Sequence, residues 1–236
     1  MSPGILIGLG IALLLVFAYF GHLAEKKRRE ELAALARSLG FRFDPGPDRG
    51  HDEEYGHFEI FRRGHSRVAR NTLAGRLTVD DRLYRVVAGD FRYQVTSGSG
   101  KNRSTHTYRF SYVIVELPFH PPDLLIRPEG MFDKLAGVFG FDDIDFESEE
   151  FSRKFYVKSS DKQFAYDVVH PRMMEFLLKG LPAALDVEQG RLCFADGHRR
   201  WTPEQFRRRL DYLERFLALW PEHLMVQLDG GGRHVV

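Results

Sequence analysis

Residues 83–117 read LYRVVAGDFRYQV, then TSGSGKNRS, then THTYRFSYVIVEL: two runs rich in aromatic and β-branched side chains around a Gly/Ser-rich stretch. Such side chains fit a pleated, half-buried surface. In the second run Tyr108, Phe110, Tyr112 and Ile114 alternate with Arg109, Ser111 and Val113, as one buried sheet face requires. The stretch predicts two strands, over 83–95 and 105–117, joined by an extended hairpin loop over 96–104.

On the N-terminal side, the strand-like pattern extends back to Phe58. Before it, DPGPDRG at 44–50 breaks regular structure. Residues 25–39 predict an amphipathic helix with Leu32, Leu35, Ala36 and Leu39 on one side and Gly40 as its stop. On the C-terminal side a short helix is predicted over 131–138 and an acidic strand over 142–147. Ser160 with Gln163 makes a capping box for a helix carrying Phe164, Ala165 and Val168. Pro171 suits a first helical position, opening a helix that holds Met174, Phe176, Leu177 and Leu178 and stops at Gly180. Residues 184–188 and 191–195, joined by Gln189-Gly190, predict a hairpin. Thr202-Pro203-Glu204-Gln205 caps a last helix running to about Trp220, with Phe206, Leu210, Leu213 and Leu217 at helical spacing. Strands in the middle with helices at the ends indicate an α+β fold: a mainly antiparallel sheet with flanking helices.

The first residues set a different environment. From Pro3 to Leu23 there is no Asp, Glu, Lys or Arg, and about twenty apolar residues suffice to cross a bilayer as a helix. Lys26, Lys27, Arg28 and Arg29 follow at once and no basic side chain precedes. The positive-inside rule therefore places the N-terminus outside and the rest at the cytoplasmic face of the inner membrane. The expected organisation is 1–24 transmembrane anchor, 25–40 juxtamembrane amphipathic helix and 41–236 cytoplasmic α+β domain. The single cysteine, Cys193, excludes an intramolecular disulfide and fits a reducing compartment. Gly4, Gly8 and Ala12 line one helix face with small side chains, a pattern that permits helix dimerisation.

Of 236 residues, 43% are hydrophobic and 28% charged, so the chain has material for a core and is not compositionally disordered. The net charge of +1 argues against a protein coated with basic surface for nucleic acid. That near-neutrality hides two halves. From Phe61 to Arg109 eleven basic residues face three acids, and from Asp123 to Glu150 nine acids face two bases. The basic half suits anionic lipid headgroups, or the halves neutralise each other within the fold or across a dimer. The membrane-surface or anion contacts expected from this layout are Lys26, Lys27, Arg28, Arg29 and, at the hairpin tip, Lys101 and Arg103.

Catalytic and cofactor motifs are weak. Gly98-Ser99-Gly100-Lys101 is half of a nucleotide-binding loop, but Val95 and Asn102 stand where that loop needs Gly and Ser or Thr. In a strand over 142–147, Asp143, Asp145 and Glu147 would share one face able to gather a hard divalent cation. His51, His57 and His65 lie loosely grouped near Asp52, Glu53 and Glu54 without a zinc-site spacing. No nucleophile elbow surrounds any serine, and no cofactor is expected.

Three stretches resemble a bacterial family of membrane-anchored proteins of unknown function: TSGSGKNRSTH at 96–106, FGFDDIDFES with FSRKFYV within 139–157, and HPRMMEFLL at 170–178. The resemblance covers most of the chain from about Phe41 to Val187. It implies one domain and a bacterial source, and it brings no activity, cofactor or catalytic residue. The function expected is a non-enzymatic binding or scaffolding module at the cytoplasmic membrane face, with the membrane, a protein partner or a second copy as its contacts. The alternative is a divalent-metal hydrolase using Asp143, Asp145 and Glu147.

Overall fold

A computed structural model describes residues 3–130, 144–180, 182–197 and 199–231. Helix α1 runs unbroken over Pro3–Leu39, so the apolar stretch and the amphipathic helix are one rod. It stops at Gly40, whose φ of +69° is left-handed. The amide of Phe41 bonds to the Ala36 carbonyl and that of Gly40 to Arg37, the Schellman pairing that satisfies a helix's last carbonyls.

After α1 come β1 (Arg42–Asp44), α2 (His51–Glu54), α3 (Glu59–Arg62), β2 (His65–Val79), β3 (Arg82–Ser97) and β4 (Ser104–Glu116). They are followed by β5 (Leu124–Pro128), α4 (Glu149–Lys154), β6 (Phe155–Ser159), α5 (Lys162–Val168), α6 (Pro171–Leu178), β7 (Ala184–Glu188), β8 (Arg191–Ala195), α7 (Pro203–Ala218) and α8 (Glu222–Gly231). All eight strands join one sheet in the order β1-β2-β3-β4-β8-β7-β5-β6, with every neighbouring pair antiparallel. The fold is a mixed α+β one with flanking helices, as the strand and helix patterns indicate.

Its long arm is the β2–β3–β4 meander. Asp80 and Asp81 turn the first hairpin with φ of 46° and 63°, the doubly left-handed turn that matches strand twist. The second hairpin pairs without interruption from Arg85↔Glu116 to Ser97↔Ser104, so its loop is shorter than 96–104. Gln189 and Gly190 turn the β7–β8 hairpin with φ of 50° and 72°.

One buried face does not describe β4. Every residue from Phe110 to Val115 is buried, because helices cover both sides of the sheet centre. On one side Leu32, Leu35 and Ala36 of α1 and Phe206, Leu210 and Phe216 of α7 join a core with Val113 and Val115. On the other side α2 and α3 bring Tyr55 and Phe61, with Phe58 between them, onto Phe91, Phe110 and Tyr112. Fully burying each leucine of α1 stabilises the docked helix by about 1.5–3 kcal/mol.

The structure departs from the sequence pattern at several points. Residues 58–62 form a turn and α3 rather than strand, because Phe58 and Phe61 pack inward at helical spacing. Residues 144–147 are irregular, not an acidic strand: the amide of Ile144 bonds to the Val157 carbonyl of edge strand β6 without forming a ladder. The cap of α5 is Asp161, whose carboxylate accepts from the amides of Gln163 and Phe164, instead of Ser160. The α7 capping box and the proline opening of α6 are as expected. The helix over 131–138 lies outside the described residues. Among the described residues no helix is long and apolar enough to cross a membrane, so the span expected over 3–23 is not established by the fold.

Candidate functional site

Strand β3 carries an acid in an otherwise apolar run, Val86-Val87-Ala88-Gly89-Asp90-Phe91. Across from it β2 slips register between Arg70 and Leu73, and Asn71 takes a left-handed φ of 54°. The bulge presses against Gly89, where a Cβ would come within 3.1 Å of the Arg70 carbonyl and 3.2 Å of the Tyr112 hydroxyl. A bulge re-aims a side chain, and here it brings Asn71 to Asp90.

The Asp90 carboxylate is fully engaged. Arg28 of α1 approaches as a fork, Nε donating to Oδ2 at 2.7 Å and Nη2 to Oδ1 at 2.6 Å. Asn71 Nδ2 donates to Oδ2 at 2.9 Å and Ser111 Oγ to Oδ1 at 2.7 Å. Arg28 Nη1 also donates to the Trp201 carbonyl at 3.1 Å, while the Trp201 amide donates to Ser111 Oγ at 2.9 Å. The side chains of Arg28 and Asp90 are only 14% and 7% exposed. Bidentate Arg–carboxylate pairs combine strength with fixed geometry. This one ties α1 to β2, β3, β4 and the segment entering α7. One turn earlier Glu25 of α1 pairs with Arg200, and Trp201 is further held by Asp196 at its Nε1, 2.8 Å away, and by Arg209 over its ring.

Beside the clamp lies a cavity of about 330 Å³, bordered by Arg29, Arg70, Arg92, Arg109 and Arg200. Its two acids, Glu25 and Asp90, are both already paired, with Arg200 and Arg28. The pocket is strongly cationic and sits where α1 leaves the sheet.

Of the residues expected at a membrane surface, Lys26 and Lys27 are exposed and reach only Glu30 and Glu31 on their own helix. Arg28 is corrected: it is half-buried in the clamp and unavailable as a surface contact. Arg29 is exposed and borders the cavity. Arg103 is exposed at the tip of the β3–β4 hairpin. It stands about seven strand residues, or ~23 Å, from Asp90, so the structure does not bring the two basic groups together. The side chain of Lys101 lies outside the described residues. Gly8 has no atom within 4 Å of its Cβ position and Ala12 is exposed; the side of Gly4 is outside the described residues. Asp143 is also outside them, Asp145 and Glu147 are exposed, and among the described residues no three side chains group as metal ligands. The basic half meets acids that lie close by in sequence or strand register, among them Asp52, Glu59 and Glu116, which partner Arg67, Arg63 and Arg85.

Of the histidines grouped near the loop, His51 is enclosed by aromatic rings. Its ring is 2% exposed and lies 4.7–5.6 Å from the rings of Tyr55, Phe61, Phe91 and Tyr112. Burial pulls its pKa down to about 4, against the weaker upward pull of Asp48 and Asp52. His57, half-buried against Phe58, is also pulled to about 4, by burial and then by Arg191 and Arg62.

No protein-family model and no characterised protein matches the chain. Its fold is similar to the crystal structure of the mycobacterial trehalose monomycolate transport factor A, with a TM-score of 0.51 and 11% sequence identity. The match covers 82% of this chain and 96% of that one. At that identity the likeness is one of fold.

Proposed function

We propose that the chain is a membrane-anchored, non-enzymatic binding factor, with α1 crossing the bilayer N-terminus outside and the sheet held at the cytoplasmic face. The clamp of Arg28 on Asp90 carries this reading: it makes the N-terminal helix a rigid extension of the sheet. Along that extension Leu13, Leu14, Leu15, Val16 and Phe17 are all 49–70% exposed. Five consecutive apolar residues exposed on one helix point in every direction around it, and a helix apolar on all sides requires an apolar surround. Lys26 and Lys27 then fall at headgroup level, on the side where the positive-inside rule puts them.

The fold likeness to a protein named as a transport factor supports an accessory role rather than a chemical one. The cargo in that name is not carried over. The test is affinity purification of the full chain from native membranes in mild detergent, beside a fragment of residues 1–30. A partner recovered in stoichiometric amount with the full chain and absent from the fragment is the expected result. Recovery of the full chain alone, with metal-dependent hydrolysis of a phosphoester panel, would contradict it.

A further inference from the structure

Strand pairing sets two guanidinium groups face to face. Arg92 of β3 and Arg109 of β4 are register partners, and like charges directly opposed on antiparallel strands are destabilising. Elsewhere in the sheet such an opposition is compensated. Arg76 faces Arg85 across β2 and β3, and Glu116, the β4 partner of Arg85, lies 3.5 Å from its Nε. At Arg92 and Arg109 no described residue plays that part. Among the described residues Arg29, Arg70, Arg92 and Arg109 carry no ion pair, since the two acids bordering their cavity are held by Arg28 and Arg200.

Two buried polar atoms beside these cations also lack partners: the donor Arg92 Nε and the acceptor Asn71 Oδ1. Asn71 is 3% exposed and borders the cavity. Buried polar atoms are ordinarily satisfied, so a ligand offering both an oxyanion and a hydroxyl completes this set. The cavity's volume of about 330 Å³ lies within the usual range of small-molecule sites, ~300–1,000 Å³. Planar guanidinium groups suit phosphate oxygens geometrically as well as electrostatically.

We infer that this cavity binds a phosphate group, free or within a lipid headgroup, between Arg70, Arg92 and Arg109. Arg29 stands only six residues, ~9 Å of helix, beyond Leu23. That closeness makes a headgroup within reach, and this clause alone rests on α1 spanning a bilayer.

The test is thermal unfolding of the full chain in nonionic detergent. Sodium phosphate is titrated against chloride at matched ionic strength, and dihexanoyl phosphatidylglycerol against dihexanoyl phosphatidylcholine. A saturable rise in Tm with phosphate, with phosphatidylglycerol or with both is expected, and which of them acts identifies the source. In R92M/R109M the unliganded Tm should rise, as the repulsion is gone, and the ligand response should weaken at least tenfold in concentration. R109M alone, at an exposed position, serves if the double variant does not fold, and R76M should respond like the wild type. No saturable shift with any of the phosphate compounds, or a shift undiminished in the arginine variants, would overturn the site. Because the phosphate arm needs no bilayer, failure of the site and failure of the anchor are read separately.

Discussion

Asp90→Ala is expected to destabilise the full chain by about 3–5 kcal/mol, the cost of leaving one member of a buried ion pair without its partner. The substitution strands Arg28, and it also removes the acceptor used by Asn71 and Ser111. Urea unfolding in detergent, followed by the fluorescence of buried Trp201, measures it. Because the penalty comes from an uncompensated charge, Arg28→Met combined with Asp90→Ala should recover part of the loss. A loss of ~1 kcal/mol or less, the value of an exposed salt bridge, would mean that the clamp does not hold α1 to the sheet.

Acid should weaken the aromatic side of the sheet. The native pKa of His51 is about 4, against 6.5 for the ordinary imidazole. Between these values the unfolded chain takes up a proton that the folded one refuses. Stability is therefore fully present above pH 6.5, declines as pH falls, and is lost by up to about 3 kcal/mol below pH 4. His57 titrates over the same window, so the contribution of His51 needs a variant. His51→Phe keeps the ring among Tyr55, Phe61, Phe91 and Tyr112 and removes the proton site. Unfolding midpoints at pH 7 and 4.5 should differ less in the variant than in the wild type; equal differences would show that His51 is not held neutral.

Much of the fold was legible because its signals are local. The hairpin of 184–195, the box at Thr202 and Gln205, and the proline at 171 are each set by residues within a turn of one another. The pattern at 105–117 read correctly as strand but not as doubly buried, since period-two alternation cannot report a helix arriving on the second face. The run at 58–62 misled because Phe58 and Phe61 serve a helical turn as well as a strand. The site was legible only in part. Asp90 behind Gly89 in an apolar strand was a visible anomaly, as acids are depleted from strands. Its partner Arg28 lies 62 residues earlier, inside a basic cluster whose spacing suggested only a membrane surface. Helical spacing does set Arg28 on the face of Leu32, Leu35 and Leu39, at i, i+4, i+7 and i+11, with Arg29 toward the edge of that face; what lay out of reach was the acid on β3 that Arg28 meets.

In the proposed anchoring, the geometry of α1 against β3 would give the N-terminal helix its role. A cationic juxtamembrane segment alone would hold a domain loosely near a bilayer, whereas a forked ion pair to the sheet centre fixes its distance and tilt. In that arrangement the arginine-lined cavity would sit at a set depth beside the helix exit.

The most direct test of the anchored account is sodium carbonate extraction of native membranes, comparing the full chain with a chain lacking residues 2–24, with protease then added to inside-out vesicles. If α1 anchors the chain as proposed, the full chain stays in the membrane pellet, the truncated chain is released, and protease removes the C-terminal domain from outside those vesicles. Release of the full chain by carbonate alongside the truncated one would contradict it.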